Sequence, residues 1–323
     1  MKRRQLIQAA AAAFAAGGLP HFANAQESRP LRILLPFTAG GPIDVAARLI
    51  SPSMSRTLGR TVLVDNRPGA AGLIATKALQ TPAGDGSTSV MMTYIAFVGL
   101  PYLQKSATYD PVKDFVPVAG VADGPAYVYL NANVPAKNMA EFIAWAKTQK
   151  NAVESATSGP GGGSHMWTLL LAKRAGINLL PVPYKGSSEM TTAVLMGDCK
   201  ILIANASEAL NAQVRAGKLR ILGVTSDHPS ALTPGVPVIA DTVKDFVIQG
   251  WYGLIGPASM PPADVAAISA AVKTALAEPG VREKFEVMFM EPRYMSPPEF
   301  ATAIGKTNAF YKRLVADIGV TPQ

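Results

Sequence analysis

Residues 158–165 read Ser-Gly-Pro-Gly-Gly-Gly-Ser-His, four glycines in eight positions with a serine and a histidine at the end. A turn of this kind leaves backbone N–H groups free to face a ligand. At the start of a helix the first N–H groups lack intrahelical acceptors and the dipole adds partial positive charge, so an anion is favoured there. The segment is expected to join a strand at 153–157 to a helix at 164–176, with Ser164 as the N-cap or as a hydroxyl donor to the ligand. Ser158, Gly161, Gly162, Gly163, Ser164 and His165 are the candidate contacts. A plain capped turn is the competing reading. Three consecutive glycines carry an entropic cost that a plain turn has no use for. His165 is either a ligand contact or only a polar residue of the helix.

Residues 36–44, Pro-Phe-Thr-Ala-Gly-Gly-Pro-Ile-Asp, show the same strand-to-helix pattern earlier in the chain. Phe37, Thr38, Ala39, Gly40 and Gly41 make the turn, and Pro42 suits the first helical position. Asp44 complements the helix start, so the grip is assigned to the backbone amides of 39–43 rather than to its carboxylate. Two such helix starts facing each other suit a ligand with two acidic ends, or with one acid and one polar group. Thr93, Tyr184, Lys185 and Asn205 end or follow other strands at the same end, and join the candidate set.

Catalytic signatures are missing. The sequence has no G-x-S-x-G elbow, no Walker A loop, no H-E-x-x-H and no C-x-x-C. Beyond the first 25 residues only His165 and His228 remain, so a metal site or a nucleophile triad would rest on His165 almost alone. Ser164 and His165 are neighbours, and neighbours on a helix point apart. The expected catalytic, metal and cofactor sets are therefore empty.

These loops need strands and helices to hold them. Residues 31–37, 61–67 and 88–93 read as strands, alternating with helices at 42–58 and 70–80, the rhythm of an open parallel sheet with helices on both faces. Val45, Leu49, Met54 and Leu58 are expected to face the core. A second α/β set follows, with strands at 153–157, 179–184, 200–205 and 219–225 and helices at 138–150, 164–176, 187–197 and 207–216. Two long β-rich stretches, 115–131 and 245–257, read as crossovers between the sets. Helices near 261–277, 279–288 and 297–317 close the chain. The expected architecture is two α/β lobes with a cleft between them, where strand C-termini and helix N-termini meet. Residues 26–126 and 250–323 form lobe 1, and residues 127–249 form the inserted lobe 2.

The first 25 residues differ from the rest. Lys2, Arg3 and Arg4 precede an Ala-rich run that ends in Ala23-Asn24-Ala25, the pattern of a cleaved export signal. The Arg3-Arg4 pair also permits twin-arginine export. Cleavage leaves Gln26 first and a periplasmic protein. The chain has 30 Lys+Arg against 22 Asp+Glu, and the signal removes three basic residues and no acidic one. The remaining excess of about five positive charges suits an anionic ligand but forms no nucleic-acid footprint. The single Cys199 cannot form an internal disulfide and is expected to be buried. No later run of about 18 apolar residues reads as a membrane span.

Taken in order, PFTAGGPIDVAARL, VLVDNRPGAAG, YDPVKDFVPVAGVA, SGPGGGSH, VPYKGS, VRAGKLRILGVTS and WYGLIGPASMP resemble the tripartite tricarboxylate transporter receptors, also called the Bug family. The resemblance covers nearly all of the chain after the signal. It implies a type II periplasmic binding-protein fold, with the ligand cleft between lobes joined by two hinge strands. It also implies a receptor that delivers a small carboxylate to a membrane permease, with the ligand held by Thr38–Gly41 and Ser158–His165; the mature protein is expected to be a monomer. A sensor subunit serving a membrane kinase and a hydrolase using Ser164 are the alternatives on the same fold. Ala39 stands where the family usually has proline. Ala204 stands where many members carry an aspartate, so an ammonium group would lack that partner. Trp167 stands one turn into the ligand helix, where it either extends aromatic contact or packs.

Overall fold

A computed structural model describes residues 30–81, 88–93, 95–160, 162–248, 250–288, 290–319 and 321–322. The expected export signal and Gly161 lie outside the described residues. The first sheet opens with β1 (Leu31–Leu35), α1 (Pro42–Leu58), β2 (Val62–Asn66), α2 (Leu73–Gln80) and β3 (Thr88–Thr93). A short helix α3 (Leu100–Leu103) precedes β4 (Phe115–Asp123). The chain then crosses through Gly124-Pro125 into β5 (Ala126–Asn131) of the second sheet. There follow α4 (Met139–Thr148), β6 (Val153–Thr157), α5 (Gly163–Ala175), β7 (Leu179–Pro183), α6 (Ser187–Met196), β8 (Ile201–Asn205), α7 (Glu208–Arg215) and β9 (Leu219–Val224). The return crossover enters β10 (Trp251–Pro257) of the first sheet, and α8 (Pro262–Ala277), α9 (Pro279–Val287), β11 (Glu291–Met295) and α10 (Pro297–Ile318) finish the fold.

The sheet orders are β11-β4-β10-β3-β1-β2 and β7-β6-β8-β5-β9. Strands β1, β2 and β3 pair in parallel as expected, but β10 runs antiparallel to β3 and β4, and β11 antiparallel to β4. The first sheet is therefore mixed, because the returning crossover enters it from the lobe-2 end. β11 was not expected: Glu-Pro-Arg-Tyr-Met lacks apolar alternation, and its Pro292 is tolerable only on an edge strand. Residues 245–248 also differ from expectation. Asp245 has a positive φ of 60°, and Phe246 and Ile248 bury their side chains as anchors instead of extending β10.

Helix α1 buries Ile43, Ala46, Ala47, Ile50 and Met54, whereas Val45, Leu49 and Leu58 are only half-buried. Met54 is buried and Leu49 and Leu58 pack against the core as expected, but Val45 does not, and the two alanines were not foreseen. The reason is close packing against α8: Ala46 and Ala47 share one core cluster with Ala271 and Ala275, and small residues let the two helices approach. The far end of α10 joins the second lobe through Asp317, which pairs with Lys173 (3.0 Å) and Arg174 (2.7 Å) at the end of α5.

Gly253 on β10 sits under α10. A Cβ there would lie 2.2 Å from the ring of Phe300, which is fully buried and packs edge-on against Trp251. Gly253→Val is expected to cost about 1–3 kcal/mol by overpacking. Urea unfolding measures it, and wild-type stability would show that α10 is not seated on this strand.

Candidate functional site

The strand registers fix where the glycine turns lie. Ala126, the first residue of β5, pairs with Asn205, the last of β8, and β6 runs parallel to β8. The end of β6, and hence Ser158, is therefore on the edge of its sheet that faces the crossovers. In the first sheet Tyr252 pairs with Thr93, and β1 runs parallel to β3, so Phe37–Gly41 lie on the facing edge. Both turns thus open on the gap that the crossovers span. Asn205 Nδ2 donates to Gly124 O (2.7 Å), holding one crossover. Thr225 ties the two crossovers together: its Oγ1 accepts from the Ala126 N–H (3.1 Å) and donates to Ile248 O (2.9 Å).

In the first turn Gly40 has φ 85°, a region that favours glycine. Its N–H donates to Asp44 Oδ2 at 3.0 Å. This amide is therefore spent inside the protein, contrary to the expectation that all amides of 39–43 face the ligand. The first intrahelical bond of α1 runs from the Val45 N–H to Gly41 O (3.0 Å), so the N–H groups of Gly41, Ile43 and Asp44 precede it. Asp44 does more than cap. Its buried carboxylate also accepts from Arg48 Nε and from Asn66 Nδ2 (3.0 Å), and Asn66 Nδ2 in turn reaches Phe37 O (3.1 Å). Burial pushes the Asp44 carboxyl up, but the hydrogen bonds from Arg48, Gly40 and Asn66 prevail and hold it below the usual value. Thr38 and Ala39 are exposed, and Phe37 is half-buried against the core.

The second turn is organised differently from its sequence reading. Gly162, not Ser164, is the N-cap of α5. The buried Ser164 hydroxyl accepts instead from the Ser158 N–H (2.8 Å), with Ser158 Oγ at 3.1 Å, and so closes the turn on itself. The Gly162 N–H donates to Gly159 O (3.0 Å), so this amide too is internal. The N–H groups of Gly163, Ser164 and His165 precede the first intrahelical bond, Met166 N–H to Gly162 O. His165 is half-buried, and burial lowers its pKa, which favours the neutral ring.

Two further candidates make contacts within the second lobe. The Tyr184 hydroxyl lies 3.6 Å from Cys199 Sγ, and that contact pushes the phenol up to about 12. Cys199 precedes β8, at the opposite end from the strand C-termini. Lys185 is exposed, and its N–H donates to Glu189 at the start of α6 (3.0 Å). Trp167 is buried in the core and packs. Asn66 was missed; it ends β2, and the strand-end rule applied to Thr93 and Asn205 would have found it.

Nearly the whole chain matches a known family. Residues 46–320 match the model of the tripartite tricarboxylate transporter family receptor. The chain belongs to that family. Three solved structures show the same two-lobed type II fold. One is the periplasmic binding protein BugD, at 28% identity over 91% of this chain and 99% of that one, with a TM-score of 0.81. Another is R. palustris Rpa4515 with adipate, at 26% identity over 91% and 99%, TM-score 0.83. A third is MatC from Rhodopseudomonas palustris with bound malate, at 26% identity over 88% and 98%, TM-score 0.79. The family is a class of solute-binding receptors. Among the described residues no helix is long and apolar enough to cross a membrane, and no cluster of metal-ligating side chains occurs.

Proposed function

We propose that the chain is a monomeric, non-catalytic periplasmic receptor that captures a small mono- or dicarboxylate and passes it to a tripartite tricarboxylate permease. The lobes divide as residues 26–126 plus 250–323 and residues 127–249. The ligand sits between Phe37–Gly41 with the start of α1 and Ser158–His165 with the start of α5. The carrying observation is the pair of helix N-termini opening on one gap, whose N–H groups at Gly41, Ile43 and Asp44 and at Gly163, Ser164 and His165 precede the first intrahelical bonds. Backbone dipoles of this kind suit carboxylates without a cationic side chain. Adipate and malate in two relatives of the same fold support the class of ligand. Ser164 is a poor nucleophile here: its hydroxyl is engaged by Ser158 and stands 3.9 Å from Met190 Sδ.

A thermal-shift and native mass-spectrometry screen against adipate, malate and aromatic acids tests the reading. A binder at about 100 times its dissociation constant should add about 2.7 kcal/mol of stability. Chromatography of the same mixture after hours should return the acid unchanged. A protein-dependent product that disappears in Ser164→Ala would replace the receptor with a hydrolase, and silence across the whole carboxylate set would remove the ligand class.

A further inference from the structure

The crossovers do not lie at the margin of the first sheet. In the first sheet they leave from β4 and β10, with β3, β1 and β2 on one side and β11 on the other. In the second sheet β5 has β8, β6 and β7 on one side and β9 on the other. The glycine turns follow β1 and β6, so both lie on the same side of the crossovers. On the opposite side is a second space between the lobes, a cavity of about 400 Å³. Its first-lobe wall includes Asp123, Trp251, Arg293 and Thr302, and its second-lobe wall is the segment after β9 with Ser226 and Ser230. None of the residues expected to hold the ligand lines it.

We infer that this cavity is a counter-cleft that sets the balance between open and closed lobes. Two rigid bodies turning about connections between two gaps close one gap as they open the other. The wall is built to resist that turn. Ser230 Oγ, buried in the second lobe, donates to Glu291 Oε1 on β11 at 2.6 Å, a bond that spans the cavity. The facing wall is stiff, because Asp123 pairs with Arg293 (2.9 Å) and Trp251 Nε1 donates to Thr307 Oγ1 (3.0 Å). Closing the ligand side stretches the Ser230–Glu291 bond. The counter-cleft therefore favours the open form, and a ligand must outweigh it through its preference for the closed form.

The inference rests on the two-lobed fold and not on the identity of the ligand, so it is tested without one. Thr302→Trp places a wedge in the counter-cleft, and Ser230→Ala cuts the tie. Small-angle scattering of the ligand-free mature protein should give a smaller radius of gyration for both variants, while Thr274→Trp on the exposed face of α8 leaves it unchanged. The loss of one hydrogen bond to a carboxylate should move the closed-to-open ratio about fivefold or more. Any acid found to bind should then bind both variants more tightly by a similar factor. A larger radius for Thr302→Trp would place the pivot elsewhere, such as the Asp317 bridge, and overturn the inference. Unchanged curves for both variants would do the same. Neither result bears on whether a carboxylate binds.

Discussion

Gly162→Ala is expected to weaken carboxylate binding by roughly 30- to 100-fold, about 2–3 kcal/mol, while the protein stays folded. The backbone at Gly162 has φ −71° and ψ 161°, which any residue adopts, so conformation does not demand glycine there. Space does. A Cβ would lie 2.1 Å from Ser158 Oγ and 3.2 Å from Gly159 O. The Ser158 hydroxyl must swing away, and its contact with the Ser164 hydroxyl is then lost. The start of α5 keeps its helix, because the Met166 N–H still reaches Gly162 O, but the N–H groups that precede that bond no longer share one geometry. Calorimetry on the single variant and on Gly162→Ala with Ser158→Gly separates the causes. The second change removes the obstructing side chain and retains the Ser158 N–H, so it should recover much of the affinity. A single variant that binds like the wild type would show that the turn does not shape the grip. Gly162→Pro is a weaker probe, because the N–H it removes serves Gly159 O and not the ligand.

The positions of both turns were legible because the signals that place them are local. Glycine clusters between an apolar run and a helical pattern mark strand-to-helix junctions, and the α1 span 42–58 could be read to the residue. What each group of the turn points at could not be read. Gly40 gives its amide to a carboxylate four residues on, and Ser164 turns back six residues to Ser158. Both bonds depend on how the turn closes, and composition is silent on that. The face of α1 was read incompletely for a related reason. Large residues draw the eye as core, yet the alanines at 46 and 47 are buried, because an Ala-rich partner helix arrives from more than 200 residues later in the chain. Tyr184 looked like a cleft residue from its place after β7. Its ring instead lies back towards Cys199, a contact made by the packing of the second lobe.

Asp44→Ala should be the most damaging single change in the first turn. The carboxylate joins four groups: the Gly40 N–H, Arg48, Asn66 and, through Asn66, the Phe37 carbonyl. Its side chain is only 4% exposed, so water does not readily replace it. Removal takes this acceptor from the Gly40 N–H, from Arg48 and from one Asn66 donor, at a cost of about 1–3 kcal/mol of stability. The turn 38–41 then loses this carboxylate brace, and ligand affinity should fall by more than about tenfold. The same residue leaves a mark in acid. Its folded-state pKa is depressed below the usual 3.8. Its contribution is therefore complete above that value and is lost as pH falls through the lower folded-state pKa. Urea unfolding of the wild type and Asp44→Asn should show a constant gap from neutral pH down to about pH 5, which narrows below about pH 4 as the wild-type carboxylate takes up a proton. Asn cannot titrate, and its NH2 faces donors where the second oxygen accepted, so it stays the weaker protein above that range. A gap that persists unchanged through acid would mean that Asp44 titrates alike in the folded and unfolded chains, and that the brace is geometric and not ionic.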